Sequence, residues 1–168
     1  MSRGVATAVL ASLAACTTGP GLGDEVDVDV TVLGGSGGLA AGQVGVTPLD
    51  VRRGKAADLA GHTYTNDDGE EVKPPDGTPY YLDVRMVNKS DAEMTSGPRV
   101  YGIDTDGAEL EDLNDLTLWP PFTPCPKHNS DSEPFEPGVT YTACHVFVVR
   151  SGEELDRVTV GDTQWRVK

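Results

Sequence analysis

The chain has 168 residues, a length that favours one domain with a buried core. Thirteen basic and 27 acidic residues give it a net charge of −14. This balance argues against nucleic-acid binding and against docking on an anionic membrane surface, because both need concentrated Lys and Arg. The acidic excess favours a soluble, monomeric domain and leaves cation binding open. Twenty glycines and 12 prolines favour a turn-rich β architecture over helices.

The N-terminal residues have the pattern of an export signal. Arg3 precedes an uninterrupted small and apolar run, Val5 to Ala15, which as a helix spans only roughly 16 Å, about half of a bilayer core. A short apolar run behind a basic start is typical of a secretory signal. Residues 13–16, Leu-Ala-Ala-Cys, resemble the lipobox of bacterial lipoproteins. The resemblance implies a signal peptide over residues 1–15 and a lipid anchor on Cys16 at the outer face of the cell membrane. The alternatives are an ordinary signal peptide and a buried N-terminal helix.

The cysteine count is consistent with this interpretation. Three cysteines leave one odd thiol in an oxidising compartment unless one of them is modified. If Cys16 carries lipid, Cys125 and Cys144 remain, and we predict a disulfide that stabilises the fold by roughly 3 kcal/mol. The alternative is a metal site that includes His128 and His145. It is disfavoured because adjacent strand residues, such as Cys144 and His145, point to opposite faces.

Residues 16–42 are predicted to form a Gly-rich, acidic tether, since they contain GPGLG and GGSGG. Within them, residues 25–32 alternate strictly between Val and acidic or Thr residues. They form either a first strand at a sheet edge or an extended linker, and we favour the strand. Residues 34–38 match the G-x-S-x-G motif of serine hydrolases around Ser36. That motif needs a helix behind it, and here Gly and a strand follow, so a glycine linker is the better interpretation.

The remaining chain is a succession of short strand patterns separated by turn signals. The clearest is Pro79–Asn88, in which alternate residues from Tyr80 to Met86 are apolar. Further strands are predicted at residues 44–51, 99–103, 108–110, 139–150, 155–160 and 163–167. Both faces of residues 139–150 are apolar enough for burial, and Trp165 is assigned to the core. About seven strands without a helical period predict an antiparallel sandwich.

Four segments carry a resemblance to a known group: VGVTPLDVRRGKAADL, GTPYYLDVRMVNKSDAE, GIDTDGAEL and FEPGVTYTACHVFVV. They resemble exported Gram-positive lipoproteins with an immunoglobulin-like β-sandwich domain of unknown function, related in fold to a secreted mycobacterial antigen family. The likeness covers residues 43–167. It implies an all-β, immunoglobulin-like antiparallel sandwich over residues 43–168 and an extracytoplasmic location. It transfers no catalytic residue.

The acidic residues offer one candidate cation site, formed by Asp104, Asp106 and Glu109. Residues 104–107, Asp-Thr-Asp-Gly, begin like a calcium loop but lack the third ligand before Gly and the bidentate Glu at the correct distance. Asp-Gly is also the usual two-residue hairpin turn. A solvated turn is therefore favoured, weak calcium binding stays open, and no cofactor is expected.

Trp119 and Phe122 form a candidate contact patch. They flank Pro120 and Pro121, which hold the backbone extended and can display an aromatic ring on each side. The alternative is that both rings plug one end of the sandwich beneath Cys125.

Three functions are compatible with these observations. The preferred one is a lipid-anchored extracytoplasmic binding module without catalytic activity, whose partner is another envelope protein. The second is an extracytoplasmic cation-binding protein, motivated by the acidic excess. The third is a secreted hydrolase that uses Ser36 or a His/Asp pair. The fold alone does not choose between them, because sandwiches host many unrelated roles.

Overall fold

A computed structural model of the protein describes residues 19–33, 38–66, 68–114, 118–126 and 135–167. It contains two four-stranded antiparallel sheets and one two-stranded hairpin. In order across the first sheet, the strands are β1 (Val26–Leu33), β2 (Leu39–Arg53), β5 (Thr78–Asn88) and β8 (Thr140–Val149). In order across the second, they are β10 (Thr163–Arg166), β9 (Leu155–Val160), β6 (Tyr101–Asp104) and β7 (Glu109–Leu110). The hairpin consists of β3 (Tyr64–Thr65) and β4 (Glu71–Val72), and a short 3-10 helix, η1, spans Ala56–Leu59.

The predicted all-β antiparallel sandwich is confirmed. Each strand predicted after residue 43 overlaps an observed strand, and residues 155–160 match β9 at both ends. The β3–β4 hairpin and η1 were not predicted, because two-residue strands and a single 3-10 turn leave no periodic pattern in the sequence. In the part of the chain that the structure describes, no helix is long and apolar enough to span a bilayer.

The first sheet contains the edge strand that was favoured for residues 25–32, and it begins upstream of residue 43. β1 pairs along its whole length with the start of β2, from Val26 opposite Val46 to Leu33 opposite Leu39. Residues 25–32 therefore contain a strand, and the sheet extends upstream of residue 43 into the segment assigned to the tether. Burial of β1 valines explains this, since Val28 is only 4% exposed. Cys16 and the signal peptide (residues 1–15), like Ser36, lie outside the described residues.

The inward faces of the two sheets form the main core, called here the inter-sheet core. As predicted, alternate β5 residues from Tyr80 to Met86 point into it, and Trp165 is fully buried within it. The sheets approach closely at Gly102, where a Cβ atom would lie 2.9 Å from Leu155 and 3.0 Å from Phe147. The largest buried members are Trp165, Phe147, Leu82, Met86, Met94 and Leu155.

A second apolar cluster lies on the outer face of the first sheet and is called here the outer-face cluster. Both faces of β8 are buried, because Phe147 and Val149 point inward while Cys144, Val146 and Val148 point into this cluster. η1 and residues 118–126, together named the cap, cover it from the solvent side. The members of the outer-face cluster are Leu59, Tyr81, Leu113, Leu118, Phe122, Cys125, Cys144, Val146 and Val148.

Candidate functional site

The cap is fastened to the sheet by a disulfide and by one arginine. Cys125 forms the predicted disulfide with Cys144 on β8, and both residues are buried. Nη1 of Arg52, on β2, donates to the carbonyl oxygen of Pro124 at 3.3 Å. Nη2 of the same side chain lies 3.3 Å from Oδ2 of Asp83 and 3.7 Å from Sγ of Cys144. One covalent bond and one guanidinium group therefore fix the end of the cap.

Phe122 is the apolar anchor of the cap. It is 3% exposed, and its ring contacts the His62 ring edge-on at 5.2 Å and the Tyr81 ring at 5.4 Å. The Tyr81 hydroxyl donates to Oδ2 of Asp58 at 2.8 Å. Burial raises the pKa of Tyr81 well above its usual value, and the hydrogen bond to Asp58 raises it further. Bonds from the Lys55 backbone N–H and the Tyr81 hydroxyl lower the pKa of Asp58.

Trp119 occupies the opposite environment, because the residue is 65% exposed. Its backbone is nevertheless fixed, since Trp119 and Thr63 exchange two N–H to O hydrogen bonds of 2.8 Å each. The structure thus separates the two residues of the predicted contact patch. Phe122 is buried in the outer-face cluster, whereas the alternative interpretation placed both rings at one end of the sandwich, and Trp119 is displayed to solvent.

A groove of about 420 Å³ lies beside Thr63. It is lined by residue 56, residues 59–63 and residues 73–77, and therefore combines η1 with the segment that leads into β5. The volume falls within the range of roughly 300–1,000 Å³ that small-molecule sites occupy. Lys73 and Asp76 supply one charge of each sign. Trp119 is not one of the lining residues, but its backbone is paired with that of Thr63, which is. The exposed Trp119 is therefore the neighbour of a lining residue.

At the candidate cation site, the side chain of Asp104 stabilises the turn that joins β6 to β7. Asp104 is 2% exposed, and its Oδ1 accepts hydrogen bonds from the backbone N–H groups of Asp106 at 3.1 Å and Ala108 at 2.8 Å. Gly107 has a φ of 84°, a conformation that glycine adopts without strain. Asp106 and Glu109 are exposed. Across the described residues, no group of three or more His, Cys, Asp or Glu side chains is arranged to hold a metal ion.

A buried polar network beside the disulfide was not predicted from the sequence. Nδ1 of His145 lies 2.8 Å from Oδ2 of Asp112, and Oδ1 of Asp112 accepts from the Val146 backbone N–H at 2.6 Å. Nδ2 of Asn114 donates to the carbonyl oxygens of Cys125 at 3.0 Å and Cys144 at 2.8 Å. Because Asp112 and His145 are 33 residues apart, no local spacing could have revealed the pair.

This network joins structural parts rather than displaying reactive groups. In a catalytic His/Asp pair, the second ring nitrogen contacts the nucleophile. Here Nε2 of His145 is buried and has no hydrogen-bond partner among the described residues. His62 lines the groove, and His128 lies outside the described residues. The three histidines therefore do not form one site in the described parts of the chain.

The two packed antiparallel sheets define an immunoglobulin-like β-sandwich protein. No protein-family model matches the sequence, and a comparison with curated proteins finds no match. Among solved structures, the chain is similar to MPT63, a secreted protein from Mycobacterium tuberculosis, with a TM-score of 0.50 and 15% identity. The match covers 83% of this chain and 92% of that chain. At this identity the likeness shows a shared fold, in agreement with the fold relation expected from the sequence. No family match supports the lipoprotein group itself.

Proposed function

We propose that the protein is an exported, lipid-anchored binding module that contacts another component of the cell envelope through the surface around Trp119. The single observation that carries the proposal is the exposure of this residue. Trp119 is 65% exposed on a fixed backbone, and Trp is enriched among the residues that anchor binding surfaces. An aromatic ring held in this way loses little conformational entropy when a partner covers it.

Three observations support export. The fold is shared with MPT63, which is a secreted protein. The Cys125–Cys144 disulfide is of the kind that persists in oxidising compartments. The sequence before Cys16 resembles a lipobox. Binding is preferred to catalysis because the His/Asp pair in the described residues is enclosed and its Nε2 meets no nucleophile.

Photo-crosslinking in intact cells tests the contact surface. A benzophenone amino acid replaces Trp119, and in matched controls it replaces Leu39, which is 77% exposed on the first sheet, or the buried Phe122. We expect reproducible adducts from position 119 and none from the two controls. Equal adducts from positions 119 and 39, or no adduct from 119, would contradict the proposed surface.

The intact mass of the protein purified from its native membrane tests the anchor. We expect a mass that lacks residues 1–15 and includes a diacylglyceryl adduct, with two cysteines alkylated only after reduction. An unprocessed chain with three free thiols would refute both export and lipidation.

A further inference from the structure

We propose that the groove beside Trp119 binds a neutral saccharide, with the indole stacked on the C–H face of a sugar ring. This inference rests on the proposed binding function and names the class of ligand that the same surface takes.

Charge excludes two classes of ligand. A chain with a net charge of −14 repels anionic polymers, and the groove offers only Lys73 against them. Divalent cations are disfavoured because the described residues contain no group of three suitable ligands, and Asp76 is the only carboxylate among the lining residues. With one cation and one carboxylate, the lining favours a neutral ligand that both donates and accepts hydrogen bonds.

The lining also argues against a proline-rich peptide, which would be the alternative neutral partner. Grooves that bind such peptides are lined with aromatic side chains. The residues that line this groove include no Trp, Tyr or Phe, and His62 is already packed edge-on against Phe122. The exposed aromatic surface belongs instead to Trp119, whose backbone is paired with the lining residue Thr63.

A sugar ring has both an apolar face, which suits the exposed indole of Trp119, and several hydroxyl groups, which suit the polar lining of the groove. Its axial C–H bonds form an apolar face that can cover an exposed indole, while its hydroxyl groups both donate and accept. Lys73 provides donors, and Asp76 provides acceptors. The groove, at about 420 Å³, has the size of a small-molecule site.

Tryptophan fluorescence of the full-length protein provides a direct test, because the two tryptophans differ completely in exposure. Trp165 is 0% exposed and Trp119 is 65% exposed, so quenching by acrylamide reports mainly on Trp119. The probes are the neutral trisaccharides chitotriose, maltotriose and mannotriose, with trigalacturonic acid as the anionic control. We expect at least one neutral probe to bind with a Kd at or below about 1 mM, to shield Trp119 from acrylamide and to give heat in calorimetry.

Variants decide whether the binding uses this groove. Trp119→Ala should weaken binding at least tenfold, and Asp76→Asn should weaken it about threefold or more. Leu39→Ala, which alters another exposed apolar residue, should bind as the unmodified protein does. Undiminished binding by Trp119→Ala would overturn the proposal, as would tighter binding of trigalacturonic acid than of every neutral probe.

Co-sedimentation with purified cell-wall glycan shows whether the ligand is a polymer or a free sugar. Binding to either one supports the proposal if Trp119→Ala abolishes that binding. If no saccharide binds while crosslinking at position 119 yields a protein adduct, the saccharide is refuted and the binding function stands. If neither occurs, both are refuted.

Discussion

The inter-sheet core and the outer-face cluster are two apolar regions that share β5 and β8 but are built differently. Both sides of the inter-sheet core are formed by strands, and it contains the largest fully buried side chains, Trp165 and Phe147. The outer-face cluster has strands on one side only. Its other side is the cap, which contains no strand and depends on a disulfide, Arg52 and the side chain of Asn114.

This difference implies two levels of stability within one domain. Regions held by few backbone ladders open locally at lower free energy than the strands beneath them. Trp119 and the groove lie on the cap side of the molecule, so the proposed binding surface is a separately fastened layer on a stable sheet.

The largest effect is expected from a cavity in the inter-sheet core. Phe147→Ala should lower the free energy of unfolding by about 3–5 kcal/mol, because it removes a fully buried ring that packs closely against Gly102 of the facing sheet. Phe122→Ala is the matched change in the outer-face cluster and should cost less, because the cap can open without separating the sheets. Urea denaturation measures both. Equal losses would contradict the distinction between the regions.

The second prediction concerns the disulfide. Replacing Cys125 and Cys144 together by Ser opens a loop closed across a separation of 19 residues, which should cost about 3 kcal/mol. Hydrogen exchange should accelerate for backbone amides of the cap, such as Trp119, far more than for those of β5. Uniform acceleration across both regions would show that the cap does not open separately.

The difference between the regions also explains what could be predicted from the sequence. The inter-sheet core was predictable because alternation along β5 and the length of β8 record their burial directly. The disulfide followed from parity, given a lipidated Cys16. The burial of Phe122 and the exposure of Trp119 could not be separated, because they depend on contacts with His62, Tyr81 and Thr63 that are distant in sequence.

The polar residues also show that contacts between residues distant in sequence could not be predicted. A turn at residues 104–107 was predictable, since Asp-Gly turns are local structures. The burial of Asp104, whose carboxylate accepts from backbone N–H groups of that turn, was not predicted. The Asp112–His145 pair was not predictable, because it forms where residues after β7 meet the far edge of β8. Sequence patterns predict local turns and the buried face of a strand. Contacts between distant segments cannot be predicted in this way, because they depend on how the whole chain packs.

The third prediction concerns the contact of Asp112 with His145 and Val146 on β8. Asp112→Ala should destabilise the fold by about 2 kcal/mol, because the buried N–H of Val146 and the ring of His145 lose their acceptor. Asp156→Ala, which removes an exposed carboxylate paired with Arg157, is the control and should change stability little. If the two variants unfold at the same urea concentration, the Asp112 network does not stabilise the fold.

The smallest effect is a pH dependence that differs between the two regions. The hydrogen bond from Lys89 lowers the pKa of Glu25, and the bonds from the Lys55 N–H and the Tyr81 hydroxyl lower the pKa of Asp58. Both carboxylates are therefore more acidic in the folded state than their ordinary values of 4.5 and 3.8. Their contribution is complete above those values and is lost as the pH falls through the lower folded pKa values.

Two variants test which region is responsible for each part of the stability that is lost at low pH. Lys89→Met, at the β1 edge, should remove the part that belongs to Glu25, and Tyr81→Phe, in the outer-face cluster, should reduce the part that belongs to Asp58. At low salt, the Tm of each variant should therefore decrease less between pH 7 and pH 3 than the Tm of the unmodified protein. Since Glu25 lies at the surface, the Lys89→Met difference should shrink in high salt, and the Tyr81→Phe difference should shrink less. A salt response of equal size in both would mean that the cap does not shelter the Tyr81–Asp58 hydrogen bond.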